Sequence, residues 1–566
     1  MPKNSGKTYT VGQYLVDRLY EVGVKHLFAI PGDYCAEWVH KYLEPSEIER
    51  IGSTNEMNAG YSADGYARQN GIGAACVTYS VGAFSLLNPI VGAYVEEVPV
   101  IVINGAPSTK KMLEYKHAGF TYHHIVNGSD TDLRVYENVT VAAVRLDNAA
   151  LAPDQIDNAI RECLTKSKPV YIETPEDIYD QPCERPIGKL TAAPQISDVT
   201  SLKLALESVI EKLKAANNPL IWAGIELERF HLQDDFKALI DKFNIPYVSS
   251  LLGKGVISED NEHFKGVFDG NGTSDKVKEL FNKSDFILGL GVWITDENTL
   301  GYPMPYEKMS LASRRFVKTG LDVQCDVILK DLLENLLKSD IQNVGSASEI
   351  TSSKYEMEPA PKHEPGNKLT YQSAYDQISK NISTSLKEQP YVIMGGTGFN
   401  FFGSLSIPIL TQSGYVTQAA YADIGYVTPA AVGVALAEPN KRVLVFAGDG
   451  GFQMTAQCIS TMVRLNLNPI IFVMNNGIYG IEQWLADPAV FNNKEKVYPL
   501  CVLHDWNYSK LMDVWGGKGW KVETHGDLDR AFNEAMKNTD GPSLIQVCVP
   551  EKSIPTLAEY KVKGAS

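Results

Sequence analysis

Two Gly-rich segments late in the chain, GDGG at 448–451 and NNG at 475–477, each follow an apolar, β-branched run, RVLVFA and PIIFVM. Such runs read as successive parallel strands, and ligands of an open α/β sheet bind beyond its strand ends. Asp449 brings a carboxylate to one strand end, Asn476 an amide oxygen to the next, and Ile478 a backbone carbonyl just beyond. Hard oxygens of this kind suit Mg2+, which completes its shell with phosphate oxygens and water. Gly448, Gly450 and Gly451 let the backbone approach a phosphate, and a helix expected from about Phe452 would direct its N-terminal N–H groups there. Singly, each segment reads as a tight turn. At successive strand ends, the two together point to a metal–diphosphate site. The chain has no Walker sequence and its glycines do not fit the dinucleotide fingerprint, which disfavours ATP and NAD.

Further ionisable groups lie in the first third. His123 and His124 are adjacent in TYHHIVNG, in a chain of only ten histidines. Neighbouring side chains diverge on a strand or a helix, so two such groups serving one site are expected on a loop. Asp33 stands in the PGD turn and Glu56 in IGSTNEMNAG, each just past a strand-like run. Glu482 follows soon after Asn476. Alone, each has a plain reading: a turn-forming Asp, a Glu at a helix start, a solvated helix residue and two surface histidines.

The elements that would position these groups follow one pattern. Short β-branched runs such as VKHLFAIPGD, PVIVINGAP, PVYIETP, PLIWAGI and DFILGLG are bounded by Gly or Pro and alternate with helical stretches. That alternation implies βαβ units, and continuous hydrophobicity within the runs implies sheets covered on both faces. The fold class is α/β, with three doubly wound parallel-sheet domains expected. Polar, Pro-rich segments at 181–198 and 345–368 read as linkers. They give domains at 1–188, 195–345 and 366–566.

Composition bounds the function. The hydrophobic fraction is 44%, the charged fraction 21% and the net charge −16, values of a globular protein whose charge disfavours nucleic acid or an anionic membrane as partner. No apolar run is long enough to span a bilayer, and the N-terminal stretch lacks a signal-peptide core. Eight cysteines are scattered singly, which suits reduced thiols and a cytoplasmic location.

The order and spacing of GDGG and NNG closely resemble the signature of thiamine diphosphate (ThDP) enzymes. With ADGYAR, SVGAFS, GAYVEEVPV and NGAP in the first domain, the chain resembles the ThDP-dependent 2-oxo acid decarboxylases, which include pyruvate, indolepyruvate, phenylpyruvate and branched-chain decarboxylases. The resemblance runs from YLVDRLYEVGVKHLFAIPGDY to NTDGPSLIQVCVPEKSIPT and is strongest in the first and third domains.

It implies a pyrimidine-binding domain, a middle domain and a diphosphate-binding domain, with ThDP and Mg2+ as cofactors. Asp449, Asn476 and Ile478 match the metal ligands, and Glu56 matches the carboxyl that meets the aminopyrimidine ring. Asp33, His123, His124 and Glu482 match the family's acid–base groups: Asp33 and His124 for protonation and product release, His123 to orient or relay through Asp33, and Glu482 beside the substrate carboxylate. Ile424 matches the bulky residue that holds the cofactor bent, and Ala422 would offer its carbonyl to the cofactor's amino group. Thr397, Phe401, Phe402, Ile481 and Leu485 fall where the 2-oxo acid sits, and the two phenylalanines would either fill space around pyruvate or line a larger pocket. Two positions depart from the family pattern: Gly480 stands where many relatives have Thr, and Gly451 where many have Ser. The resemblance also implies a homodimer at minimum and often a homotetramer, because Glu56 and Asp449 would serve one cofactor from different subunits. A ThDP carboligase of the acetohydroxyacid synthase kind is the alternative reading. Such enzymes usually lack the His pair and a counterpart of Glu482.

Overall fold

The computed structural model describes residues 8–119, 122–127, 130–346, 361–387 and 389–564. Two compact units make up the chain. One comprises Met1–Pro194, Thr428–Pro439 and Thr455–Leu467, the other Gln195–Val427, Asn440–Met454 and Asn468–Ser566.

The first unit is built on a sheet of six strands, β1 (His26–Ala29), β2 (Glu49–Gly52), β3 (Gly73–Thr78), β4 (Val100–Ala106), β5 (Ala142–Arg145) and β6 (Val170–Pro175). All of them pair in parallel, in the order β2-β1-β3-β4-β6-β5. Every residue of β3, β4 and β6 is buried. That is the burial expected of central parallel strands with helices on both faces.

The second unit holds two sheets. One carries β7 (Pro219–Ala223), β8 (Tyr247–Ser249), β9 (Phe264–Val267), β10 (Phe286–Leu290), β11 (Met309–Ser313), β12 (Phe316–Thr319) and β13 (Asp322–Cys325). Its order is β13-β12-β11-β10-β7-β8-β9, parallel from β11 through β9, with an antiparallel edge at β12 and β13. Short turns at 314–315 and 320–321 leave no room for crossover helices there, so these strands fold back as hairpins.

The other sheet carries β14 (Tyr391–Gly395), β15 (Tyr415–Thr417), β16 (Arg442–Gly448), β17 (Ile470–Asn475), β18 (Lys518–Val522) and β19 (Ser543–Cys548). It is parallel throughout, in the order β15-β14-β16-β17-β19-β18. Counted from each sheet's own first strand, this is the order of the first sheet again. The two sheets share one topology.

The segment 181–198 contains no helix or strand, and regular structure resumes at Val199. Residues 347–360 of the linker expected at 345–368 lie outside the described residues. All eight cysteines are free. Among the described residues, no helix is long and apolar enough to cross a membrane.

Candidate active site

β16 ends at Gly448, and a seven-residue helix, Asp449–Thr455, begins at once, three residues before the start expected near Phe452. The turn is tighter than the glycine run suggested, because the Asp449 side chain itself closes it. Its Oδ1 accepts from the Gly450 amide at 2.9 Å. Its Oδ2 accepts from Asn475 Nδ2 at 2.9 Å and from the Gly477 amide at 2.7 Å. Asp449 is 1% exposed. Burial pushes its carboxyl up to about 6, against the pull of these hydrogen bonds. A cation would relieve that desolvation.

Asn475, the last residue of β17, is itself anchored. Its Nδ2 also donates to Asp505 Oδ1 at 3.1 Å, and its Oδ1 accepts from Gln546 Nε2 at 2.8 Å. Asn476 is buried beside it, and its Oδ1 lies 3.5 Å from the Ile478 amide. The Ile478 carbonyl accepts from the Gly480 amide at 2.9 Å across Tyr479, whose φ of −71° and ψ of 76° make an inverse γ-turn.

The glycines differ in what they permit. A Cβ on Gly450 would lie 2.4 Å from the Tyr479 ring, so only glycine fits there. At Gly448 and Gly451 the nearest atoms are 3.7 and 3.4 Å away, and a side chain is sterically allowed. A Cβ on Gly480 would lie 2.7 Å from the Phe399 ring, which takes up the room of a side chain there. Asp449, Asn476, Ile478, Ile424 and the three glycines line one cleft, together with Thr397 and Ile481.

A second cavity shares Thr397, Gly398 and Ile481 with that cleft. Phe401, Phe402, Ala422, Glu482 and Leu485 line it. Gly398, at φ +89°, turns the chain into the helix Phe399–Ser404 that carries both phenylalanines. Asn400 pins this helix by accepting from Tyr371 and Tyr375 hydroxyls at 3.1 and 2.8 Å. Phe402 packs edge-on against Trp484, with ring centroids 5.8 Å apart. Ala422 has φ +57°, a strained conformation for a residue with a Cβ. Glu482 is exposed, in the first turn of the helix Gly480–Ala486. The middle sheet's loops also contribute Leu251, Leu252 and Leu300 to this cavity.

The first unit brings Asp33, His123 and His124 together, with one polar atom from each lying within 4.8 Å of the others. Gly32 packs against Thr78, the last residue of β3, and the helix Asp33–Trp38 starts directly after it. Asp33 Oδ1 accepts from Thr78 Oγ1 at 3.1 Å, and Oδ2 meets His123 Nε2 in a short contact. Burial pushes the Asp33 carboxyl up, but the bonds from His123 and Thr78 outweigh it and hold the group below the usual carboxylate range. Tyr34 stacks on His123, centroids 5.1 Å apart, and its hydroxyl is 3.3 Å from His123 Nδ1. His124 takes φ +69°, and its ring stands at 73° to that of His123. Two adjacent side chains thereby reach one cluster.

Glu56 opens a different element. It is half-buried at the start of the helix Glu56–Asn70, which Asn55 caps by accepting from the Asn58 amide at 2.7 Å. A Cβ on Gly82 would stand 3.6 Å from Glu56 Oε1. The turn before Gly82 is held by buried Asp132, which accepts from the Ser80 amide at 2.6 Å and the Ser80 hydroxyl at 2.7 Å.

The chain matches family models described as thiamine pyrophosphate enzyme, N-terminal TPP binding domain over residues 9–125, central domain over 206–323, and C-terminal TPP binding domain over 399–547. It is 31% identical over 561 residues to a probable pyruvate decarboxylase of Schizosaccharomyces pombe, covering 97% of this chain and 95% of that protein. It is 32% identical over 553 residues to pyruvate decarboxylase 4 of Arabidopsis thaliana, covering 96% and 88%. With pyruvate decarboxylase isozyme 3 of Saccharomyces cerevisiae it shares 30% identity over 556 residues, 94% of each. The chain belongs to the thiamine-diphosphate-dependent 2-oxo acid decarboxylase family.

The cofactor of this decarboxylase family is ThDP with a divalent metal. The residues present fit that group: a buried carboxyl with a raised proton affinity, further oxygens beside it, and a backbone at Gly450 that a side chain would block. Several groups that shape the cleft, the cavity and the Asp33 cluster carry little signal in the sequence. Asn475 was visible as the first residue of NNG, but nothing marked it as the clamp on Asp449. Thr78 and Tyr34, which fix Asp33 and His123, carried no motif. Leu251, Leu252 and Leu300 are aliphatic residues far from the motifs in sequence, and only folding brings them to the cavity.

Proposed function

We propose that this chain converts pyruvate and larger aliphatic, branched or aromatic 2-oxo acids to the aldehyde and CO2 without oxidation, using ThDP and Mg2+. One observation carries the reading. The Asp449 cleft and the mainly apolar cavity of Phe401 and Phe402 share Thr397, Gly398 and Ile481 as lining, so a bound cofactor and an apolar acyl chain would be neighbours.

ThDP supplies the carbanion-stabilising centre that no side chain can. In this reading Asp449, Asn476 and the Ile478 carbonyl hold Mg2+, while the backbone at Gly448, Gly450 and Gly451 receives the diphosphate. Ile424 would support the bound cofactor from the cleft wall, and the Ala422 carbonyl would be available to its amino group. Glu56 holds a proton at the pyrimidine nitrogen. Asp33 and His124 move protons at the reacting carbon and its oxygen, and His123 relays through Asp33. The pairing of His123 Nε2 with Asp33 Oδ2 supports that relay. Glu482 acts beside the substrate carboxylate, and Leu485 closes the outer wall of the pocket. These groups share protons, so their apparent pKa values belong to the cluster.

The domains are 1–188, 195–345 and 366–566. The working assembly is a homodimer at minimum and a homotetramer in full, in the cytoplasm, with Glu56 of one chain and Asp449 of another serving each cofactor. The test is a panel of 2-oxo acids, from pyruvate to branched and aromatic members, assayed for aldehyde with Mg2+ and ThDP present. Aldehyde from several members is expected. Acetohydroxy acid in place of aldehyde would favour the carboligase reading.

A further inference from the structure

Leu300 lines the second cavity from the middle sheet's side, in a backbone conformation that leucine rarely adopts. Its φ of 48° and ψ of 38° are left-handed, a region where a residue with a branched side chain is strained and glycine is usual. Such strain persists only where the surroundings over-determine it, and here they do. The Leu300 amide donates to the Asp296 carbonyl at 2.9 Å, closing the short helix Asp296–Thr299, which Thr295 and Asn298 cap reciprocally. The Leu300 carbonyl accepts from Asn271 Nδ2 at 2.9 Å.

The segment carrying Asn271 leaves no slack. A Cβ on Gly270 would lie 1.9 Å from the Thr299 carbonyl oxygen. A Cβ on Gly272 would lie 2.7 Å from the Phe402 ring and 2.8 Å from Leu300 Cδ1. The bare backbone at Gly272 therefore lets the Leu300 side chain and the Phe402 ring converge on one spot. Strain at a cavity wall, clamped from both sides, fixes where an isobutyl group projects.

We infer that Leu300 is a specificity-determining residue that limits the size of the 2-oxo acid side chain this cavity accepts. The inference rests on the decarboxylase reading of the cavity proposed above. With Leu251 and Leu252 it forms an apolar wall, suited to aliphatic acyl chains. Removing it widens the cavity and shifts preference among the accepted acids from pyruvate toward aromatic ones.

The test compares kcat/KM for pyruvate and phenylpyruvate in the wild-type holoenzyme, Leu300→Ala and Leu300→Gly. Glycine takes the left-handed conformation without strain, so the second variant keeps the turn even where alanine perturbs folding. The expected result is a rise of about tenfold or more in the phenylpyruvate-to-pyruvate ratio in both variants, the discrimination a hydrophobic pocket gains from one or a few methylenes. An unchanged ratio in both, whether the two rates hold or fall in parallel, would overturn the assignment of Leu300 while leaving the decarboxylase reading intact. A wild-type enzyme that acts on neither acid would instead remove the reading itself, and the inference with it.

Discussion

In the proposed site, Asp449 joins folding to cofactor binding in a single carboxyl. Burial raises it from 3.8 to about 6, so between those values the cofactor-free native state holds a proton that the unfolded chain has lost. The sign follows: this group's contribution to stability is full below about pH 4 and is lost as pH rises through about 6, a change on the order of 3 kcal/mol. Cation binding needs the ionised form and runs the other way. The increase in melting temperature caused by Mg2+ and ThDP is therefore expected to grow from about pH 5 and level off above about pH 7; a flat increment across that window would contradict it. The glycines make a second prediction. Gly480→Ala sets a Cβ 2.7 Å from Phe399 and 3.1 Å from Asn476 Nδ2. Overpacking of this kind costs about 1–3 kcal/mol and displaces a proposed metal ligand, so ThDP affinity is expected to drop about tenfold. Gly451→Ser meets nothing closer than 3.4 Å and adds a hydroxyl to the cleft, so affinity is expected to hold or improve. Titration of tryptophan fluorescence with ThDP distinguishes the two variants.

At the scale of elements, strand ends do the positioning. β3 ends in Thr78, whose hydroxyl donates to Asp33 while accepting from the Tyr34 amide at 3.4 Å. Thr78→Val keeps the shape and removes the donor. Without that donor the Asp33 carboxyl rises toward its ordinary range, so the acid limb of the pH–rate profile is expected to move to higher pH. The rate is expected to fall by up to about tenfold, the equivalent of one hydrogen bond, with ThDP affinity unchanged. A weaker ThDP affinity with an unmoved pH profile would instead indicate general disorder of the turn.

The α/β class and the strand ends at Asp449 and Asn476 were legible because parallel strands write themselves as continuous apolar runs punctuated by glycine. The glycines of GDGG point to a helix start near Phe452, whereas the helix begins at Asp449, whose own side chain satisfies the Gly450 amide. The antiparallel edge at β12 and β13 was not legible, since its partly exposed strands lack long apolar runs. The adjacency of His123 and His124 was visible, but the left-handed turn at His124 that aims both rings at one cluster was not. Leu300 was invisible for a different reason: its residue type carries no chemistry, and only tertiary packing gives it a place in the cavity.

At the scale of the whole molecule, the first and third sheets repeat one strand order, and the residues proposed to meet the two ends of the cofactor are divided between these two folds. If Glu56 and Asp449 serve one cofactor from different chains, activity depends on assembly. Serial dilution without cofactor is expected to lower specific activity in step with the dimer fraction seen by sedimentation; full activity in a monomer would refute the shared site. The most direct measurement concerns the reaction itself: CO2 and aldehyde quantified together from pyruvate, with and without ThDP, in the wild type and in Glu56→Gln. The expected result is equal amounts of the two products, none without ThDP, and nearly none from Glu56→Gln despite an unchanged fold. CO2 released without matching aldehyde, or full turnover by Glu56→Gln, would contradict it.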